Sequence, residues 1–225
     1  MHALAPGVTA THDVLVERLE TAASRRASPS RPRDHYPATD TFLASASRHN
    51  AAVNAVLVPR ARRQLPDGKE RARDFVHQSR RLEVALGQVK AKLYGSTYSI
   101  RRRWPDVWDD VRRELEATWE LERSLAIDLD AAADPGDDTG DDTGEDAAAG
   151  ELLYRAELRA PTRPHPYVPH RGAMGRIARA ICVQVDHFWD TTEGRMIPEP
   201  VRHHDRDHDG LLTQYLLADP HLGDD

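Results

Sequence analysis

Apolar residues in this chain recur at spacings of three, four and seven through four long stretches. That period belongs to amphipathic helices and to no other regular structure. The first stretch runs from just after Asp40 to about Arg63 on Phe42, Ala46, Val53 and Val56, with Pro59 expected to kink its last turns. The second runs from Lys69 to about Tyr94 on Phe75, Leu82, Leu86, Val89 and Leu93. The third opens at Trp104-Pro105-Asp106 and carries Trp108, Val111, Leu115, Leu125 and Leu129. The fourth, about Gly172 to Glu193, carries Met174, Ile177, Ile181, Val185 and Phe188. Leu65-Pro-Asp-Gly68 has the residues of a turn, Gly95 is placed to end the second helix, and Gly194-Arg-Met-Ile-Pro198 stops the fourth. A chain of 225 residues that is 39% hydrophobic and 30% charged fills a core most economically with one stripe per helix. The expected fold is therefore all-α, an up-and-down four-helix bundle over residues 40–197.

Outside the bundle, residues 1–39 read as a short peripheral helix over Thr11–Ala23, with Val14, Leu15, Leu19 and Ala22 on one side, followed by a Pro-rich linker at 28–37. Residues 131–150 are rich in Asp, Gly, Thr and Ala and read as a disordered acidic insertion, and 198–225 as a flexible, acidic, His-rich tail. The insertion holds seven acids and no base, so the formal charge of -6 becomes -6 + 7 = +1 for the remainder. A near-neutral body gives no electrostatic support for nucleic acid as a partner. Cys182 is the only cysteine, which excludes an intrachain disulfide, and its place on the fourth apolar stripe reads as a small core residue. No apolar run approaches the roughly 20 residues of a membrane span, and no secretory signal opens the sequence. A cytoplasmic location, away from any membrane, is expected. In the tail, Asp205-Arg-Asp207-His-Asp209-Gly210 has the spacing of half a calcium loop, but its twelfth place is Leu216 in place of Glu. His203, His204 and His208 lie in the same tail.

Few ionisable side chains fall within the apolar stripes. His49 lies three residues after Ala46 and four before Val53, and Glu122 is one heptad from both Leu115 and Leu129. Glu83 sits at the stripe edge of the second helix, while His77 and His187 fall on solvent faces. Extending the fourth stripe backwards by heptads from Phe188 lands near His170. Reflecting positions through the turns puts Glu83 opposite His49 and brings Glu122 within one or two turns of both. Buried carboxylates and imidazoles require partners, so such a convergence fits either a metal site or a structural polar network. In the second case Glu122 simply hydrogen-bonds His49, or Glu83 pairs with Arg80 or Arg176.

Several segments resemble the hemerythrin-like family of HHE cation-binding domains, in particular its long actinobacterial members. They are Ser47-Arg48-His49-Asn50, Arg81-Leu-Glu-Val-Ala-Leu86 with Lys92-Leu-Tyr-Gly95, Pro161-Thr-Arg-Pro-His-Pro-Tyr-Val-Pro-His170, and Asp186-His-Phe-Trp-Asp190 through Gly194-Arg195. The resemblance implies a non-haem iron centre, mononuclear or di-iron, that binds dioxygen or nitric oxide or serves iron handling or redox sensing. On this reading the metal ligands are His49, Glu83, Glu122, His170 and His165, and the protein binds or senses more than it catalyses. The family's usual HxxxE and HxxxH patterns are missing, since the second helix has no stripe-facing histidine and Thr118 stands four residues before Glu122. Two other classes stay open: a metal-free helical bundle acting as an interaction protein, and a DinB-like metal-dependent enzyme, which would need three stripe-facing histidines at one level.

Overall fold

The computed structural model describes residues 4–25, 30, 33–94, 101–132, 143–166, 172–192 and 197–200, and every regular element among them is helical. The helices are α1 (Leu4–Ser24), α2 (Tyr36–Gln64), α3 (Gly68–Leu93), α4 (Trp104–Ala132), α5 (Thr143–Leu158) and α6 (Gly172–Thr192). None of them is long and apolar enough to cross a membrane.

Helices α1 to α4 pack around a common core, each touching the next and α4 closing back on α1. Two apolar clusters fill it. One joins Leu4 and Val8 of α1, Val53 and Leu57 of α2, Phe75 of α3, and Leu125 and Leu129 of α4. The other joins Leu15 and Leu19, Phe42 and Leu43, Leu82 and Leu86, and Val111 and Leu115. The start of α1 thus shares a cluster with the end of α2, the start of α3 and the end of α4, so successive helices run in opposite directions. Phe42, Phe75 and Leu86 are wholly buried, each worth about 1.5–3 kcal/mol of hydrophobic stabilisation.

Local chemistry explains the boundaries. Pro37 falls in the first turn of α2, where its missing N–H costs nothing, so the helix begins at Tyr36 and takes in part of the expected linker. It also continues past Pro59 to Gln64. At the α2–α3 turn a Cβ on Gly68 would lie 1.8 Å from the Ala61 carbonyl oxygen, so only glycine allows so tight a return. The Asp130 carboxylate of α4 accepts hydrogen bonds from the backbone N–H groups of Leu4 (2.7 Å) and Ala5 (2.9 Å), satisfying two orphan donors at the start of α1.

The fold departs from the sequence expectations in three places. First, α1 is not peripheral: Leu4, Val8, Leu15, Leu19 and Ala22 are buried, and α1 takes the position in the ring expected for the Gly172–Glu193 helix. Second, residues 143–150 of the supposed disordered insertion are the first half of α5, which packs on α2 through its buried Leu153; residues 133–142 lie outside the described residues. Third, α6 is held by its acidic side. Asp190 accepts from the Thr162 hydroxyl (2.5 Å) and the Arg163 guanidinium (3.2 Å), and Asp186 accepts from the Arg163 backbone N–H (3.0 Å). Ile177, Ile181, Val185 and Phe188, expected in the core, face solvent, and Cys182 is only half-buried. A hydrophobic period shows that a helix is two-faced; it does not say which face meets its own chain.

Candidate metal centre

A single polar layer separates the two apolar clusters. On α1 His12 lies between Val8 and Leu15, on α2 His49 and Asn50 between Ala46 and Val53, on α3 Ser79 between Phe75 and Leu82, and on α4 Glu122 between Leu115 and Leu125. All five side chains are buried.

Within this layer His12, His49 and Glu122 each offer one ligand atom, and those atoms lie within 4.8 Å of one another. His49 Nε2 is 2.8 Å from Glu122 Oε1, and His12 Nε2 is 3.2 Å from Glu122 Oε2. The other ring nitrogen of His49, Nδ1, is 2.7 Å from Glu157 Oε1, delivered by α5. The His12 ring stacks on Trp119, with centroids 4.5 Å apart and planes 15° from parallel, and meets the His49 ring edge-on at 5.4 Å. Packing thus fixes the orientation of both imidazoles. Neither ring nitrogen of the buried His12 has a hydrogen-bond partner among the described residues, Nε2 only approaching Glu122 Oε2.

Burial alone would depress the His49 pKa, but the charge of Glu122 and hydrogen bonds to Glu122 and Glu157 push it from 6.5 up to about 10. Burial likewise favours a neutral Glu122, yet the His49 charge, the nearby His12 and the hydrogen bond from His49 hold it down at about 2. His12 is shifted the other way. Its burial, the first cause, lowers its pKa, and the neighbouring positive His49 adds to that against the pull of Glu122. At neutral pH the layer therefore holds one imidazolium, one carboxylate and one neutral imidazole.

The donor set fits a first-row divalent cation. Bonds of about 2.0–2.2 Å from imidazole nitrogen and carboxylate oxygen need donor atoms roughly 3–4 Å apart, and the observed spacings bracket that range. Two histidines and one carboxylate also leave coordination positions open, as in non-haem Fe(II) and His2Glu zinc sites. Glu157 behind His49 stands where an outer carboxylate would fix the tautomer of a metal-bound histidine and present Nε2 to an ion. Thr11, Arg18, Arg48 and the segment Pro198–Pro200 close over this side, leaving a gap of about 10 Å³ beside His49 and Glu157. Arg48 donates to the Pro198 carbonyl oxygen (2.8 Å). A far larger cavity, about 530 Å³ between Trp104, Trp108, His35 and Arg112, opens at the other end of α1 and touches none of the three ligand residues.

Of the five ligands expected from sequence, the structure brings His49 and Glu122 together. Glu83 is buried in the same layer but on its other side, with Oε1 3.5 Å from Asn50 Nδ2. His165 lies within 3.1–3.2 Å of the Asp186 carboxylate, in the contact that holds α6. His170 lies outside the described residues, as does the Asp205–Gly210 segment with His203, His204 and His208. His77 and His187 are exposed, as their wheel positions indicate. Two participants were missed. His12 had a readable signal, four residues after Val8 and three before Leu15, obscured by treating α1 as peripheral. Glu157 had almost none, since α5 is weakly patterned and follows the acidic segment.

Comparison with known proteins adds no relative: no family model matches the chain, and no curated protein or solved structure does so. The layer's own geometry is the basis for a functional reading.

Proposed function

We propose that this protein is a cytoplasmic metal-binding protein that holds one non-haem iron in an up-and-down helical bundle, through His12 and His49 Nε2 and the Glu122 carboxylate. The observation that carries this reading is the convergence of three buried donors from three helices, with a carboxylate placed behind one of the histidines. A three-ligand site leaves room for a small diatomic such as dioxygen or nitric oxide, which iron in this ligand class binds. The chain's own residues orient both imidazoles, exclude bulk water with the Trp119 ring and the 197–200 segment, and hold a proton on His49 when no cation is present. The hemerythrin-like resemblance supports iron over zinc. Three ligands favour one metal over two, since among the described residues no second cluster of this kind occurs.

The test is anaerobic loading with Fe(II), desalting, and metal analysis of the full chain beside a His12→Ala, Glu122→Ala variant. We expect about one iron per chain in excess of the variant, whose intact tail histidines report adventitious binding. Equal metal in the two proteins would overturn the reading.

A second reading rests on a different observation. Both nitrogens of His49 already have carboxylate partners, so His49, Glu122 and Glu157 also stand as a metal-free ionic network inside an interaction protein. That reading predicts a melting temperature indifferent to chelator, whereas a bound ion adds stability by mass action.

A further inference from the structure

The most unusual surface of the molecule is α6. Ile177, Ile181, Val185 and Phe188 recur at spacings of four, four and three along one face, and they are 55%, 58%, 45% and 63% exposed, with Trp189 beside them at 47%. Other large exposed apolar side chains are scattered over α1, α3, α4 and α5. Together these five present on the order of 500 Å², near the upper end of what a monomer exposes in one patch. The helix cannot simply roll over to hide them. Its opposite face is fixed by Asp186 and Asp190, both buried against Thr162, Arg163 and His165. Among the described residues α6 packs on no other helix of the chain.

We propose that this face is where two copies of the chain pair, α6 against α6, antiparallel about a twofold axis near residues 182 and 183. The spacing is close to palindromic about that point, so Ile177 of one copy meets Phe188 of the other, and Ile181 meets Gln184 and Val185. A patch complementary to itself in this way is what an isologous dimer requires. Its size agrees: roughly 500 Å² from each copy gives about 1,000 Å², the lower bound for a specific interface. The face is also free of charge, with no ionisable side chain but Cys182 from Ala180 to Val185, and small Ala178 and Ala180 at its margins allow close helix approach. Antiparallel pairing sets the helix dipoles favourably against each other. A membrane is the poorer occupant. Helices that lie on lipid carry an excess of Lys and Arg on the polar face, whereas in this helix Arg176 and Arg179 are balanced by Asp186 and Asp190, and the whole protein carries -6.

The full chain is examined by sedimentation equilibrium from about 1 to 100 µM, beside Ile181→Glu, Phe188→Glu and, as a control elsewhere, Ile127→Glu. We expect twice the chain mass for the native protein and the control, with association weakened in neither. The α6 variant is expected to be monomeric throughout, its dimer at least about 100-fold weaker, as for loss of a central apolar anchor. Its helix content by circular dichroism should be unchanged, because the substituted side chains are already exposed in the single chain. A native chain that stays monomeric at 100 µM overturns the proposal and leaves the face to a different partner. A dimer that survives Ile181→Glu, Phe188→Glu overturns it as well, whatever the metal content of the protein.

Discussion

His49 and Asn50 are neighbours on α2, about 100° apart around the helix, and each opens into its own half of the polar layer. On the His49 side the partners are ionic and come from three other helices: Glu122, Glu157 and His12. On the Asn50 side they are amides and a hydroxyl from α2 and α3, with the Glu83 carboxylate of α3 at 3.5 Å from Asn50 Nδ2. Asn54 Nδ2 donates to the Asn50 carbonyl (2.8 Å) and to Ser79 Oγ (2.6 Å), and Ser79 donates to Asn50 Oδ1 (2.9 Å). The two halves are equally buried, so burial does not distinguish a structural network from a candidate site. What distinguishes them is charge and convergence. The Asn50, Asn54 and Ser79 contacts are short, neutral bonds between adjacent helices that any bundle can use to fix register, with Glu83 at their margin. The His49 half gathers donor atoms of metal-binding type around one point and keeps them in orientation by stacking and an outer carboxylate.

The comparison is broken most directly at Glu122. Glu122→Ala removes the shared carboxylate and leaves the His49 imidazolium with Glu157 alone, which should destabilise the metal-free protein by about 3–5 kcal/mol in urea unfolding. Glu122→Gln keeps the shape and should lose less. An effect of Glu122→Ala below about 1 kcal/mol would mean that the ionic half carries no more than the neutral one.

Acid and base separate the halves next, because His49, Glu122 and His12 all belong to one of them. The His49 contribution is complete below its unfolded pKa of 6.5 and is lost as pH rises toward about 10. That of Glu122 is complete above 4.5 and is lost as pH falls toward about 2. The lowered pKa of His12 acts in the opposite sense to that of His49, removing stability as pH falls below 6.5. The urea midpoint of the metal-free protein should therefore peak close to pH 6.5 and decline on both sides. His12→Gln should flatten the acid side down to about pH 4.5 and leave the alkaline decline in place. A midpoint insensitive to pH between 6.5 and 9 would refute the assignment of a proton to His49.

The ionic half was legible in the sequence where a helix was correctly placed. His49 and Glu122 interrupt strong stripes, and the heptad from Leu115 to Leu129 alone puts Glu122 inside. Glu83 was correctly placed at the same level as His49, but level is not azimuth, and it turns toward Asn50. The errors concern which helices make the ring. The Gly172–Thr192 helix has the most sharply two-faced sequence of the six, yet Asp186 and Asp190 find Arg163 and His165, and an ionic contact fixes the face that a period cannot. Conversely α1 has a modest pattern but supplies His12 and five buried apolar side chains. Local periodicity reports amphipathicity; the choice of partner is made by contacts far apart in sequence.

The smallest expected effect lies on the neutral side and sharpens the contrast from there. Ser79 Oγ donates to Asn50 and accepts from Asn54, so Ser79→Ala removes two bonds and leaves Asn50 Oδ1 without its donor. Deleting one hydroxyl from a neutral network should cost about 1 kcal/mol, and at most about 3 where the orphaned groups stay dry. It should not alter the pH profile, because neither partner ionises, nor iron uptake, because no atom of this half lies among the three ligand atoms. Urea midpoints at pH 6.5 and 9 together with metal analysis of the loaded variant check all three. If Ser79→Ala lowers iron uptake as far as Glu122→Ala does, the layer acts as a single cooperative network, and the division between its halves fails.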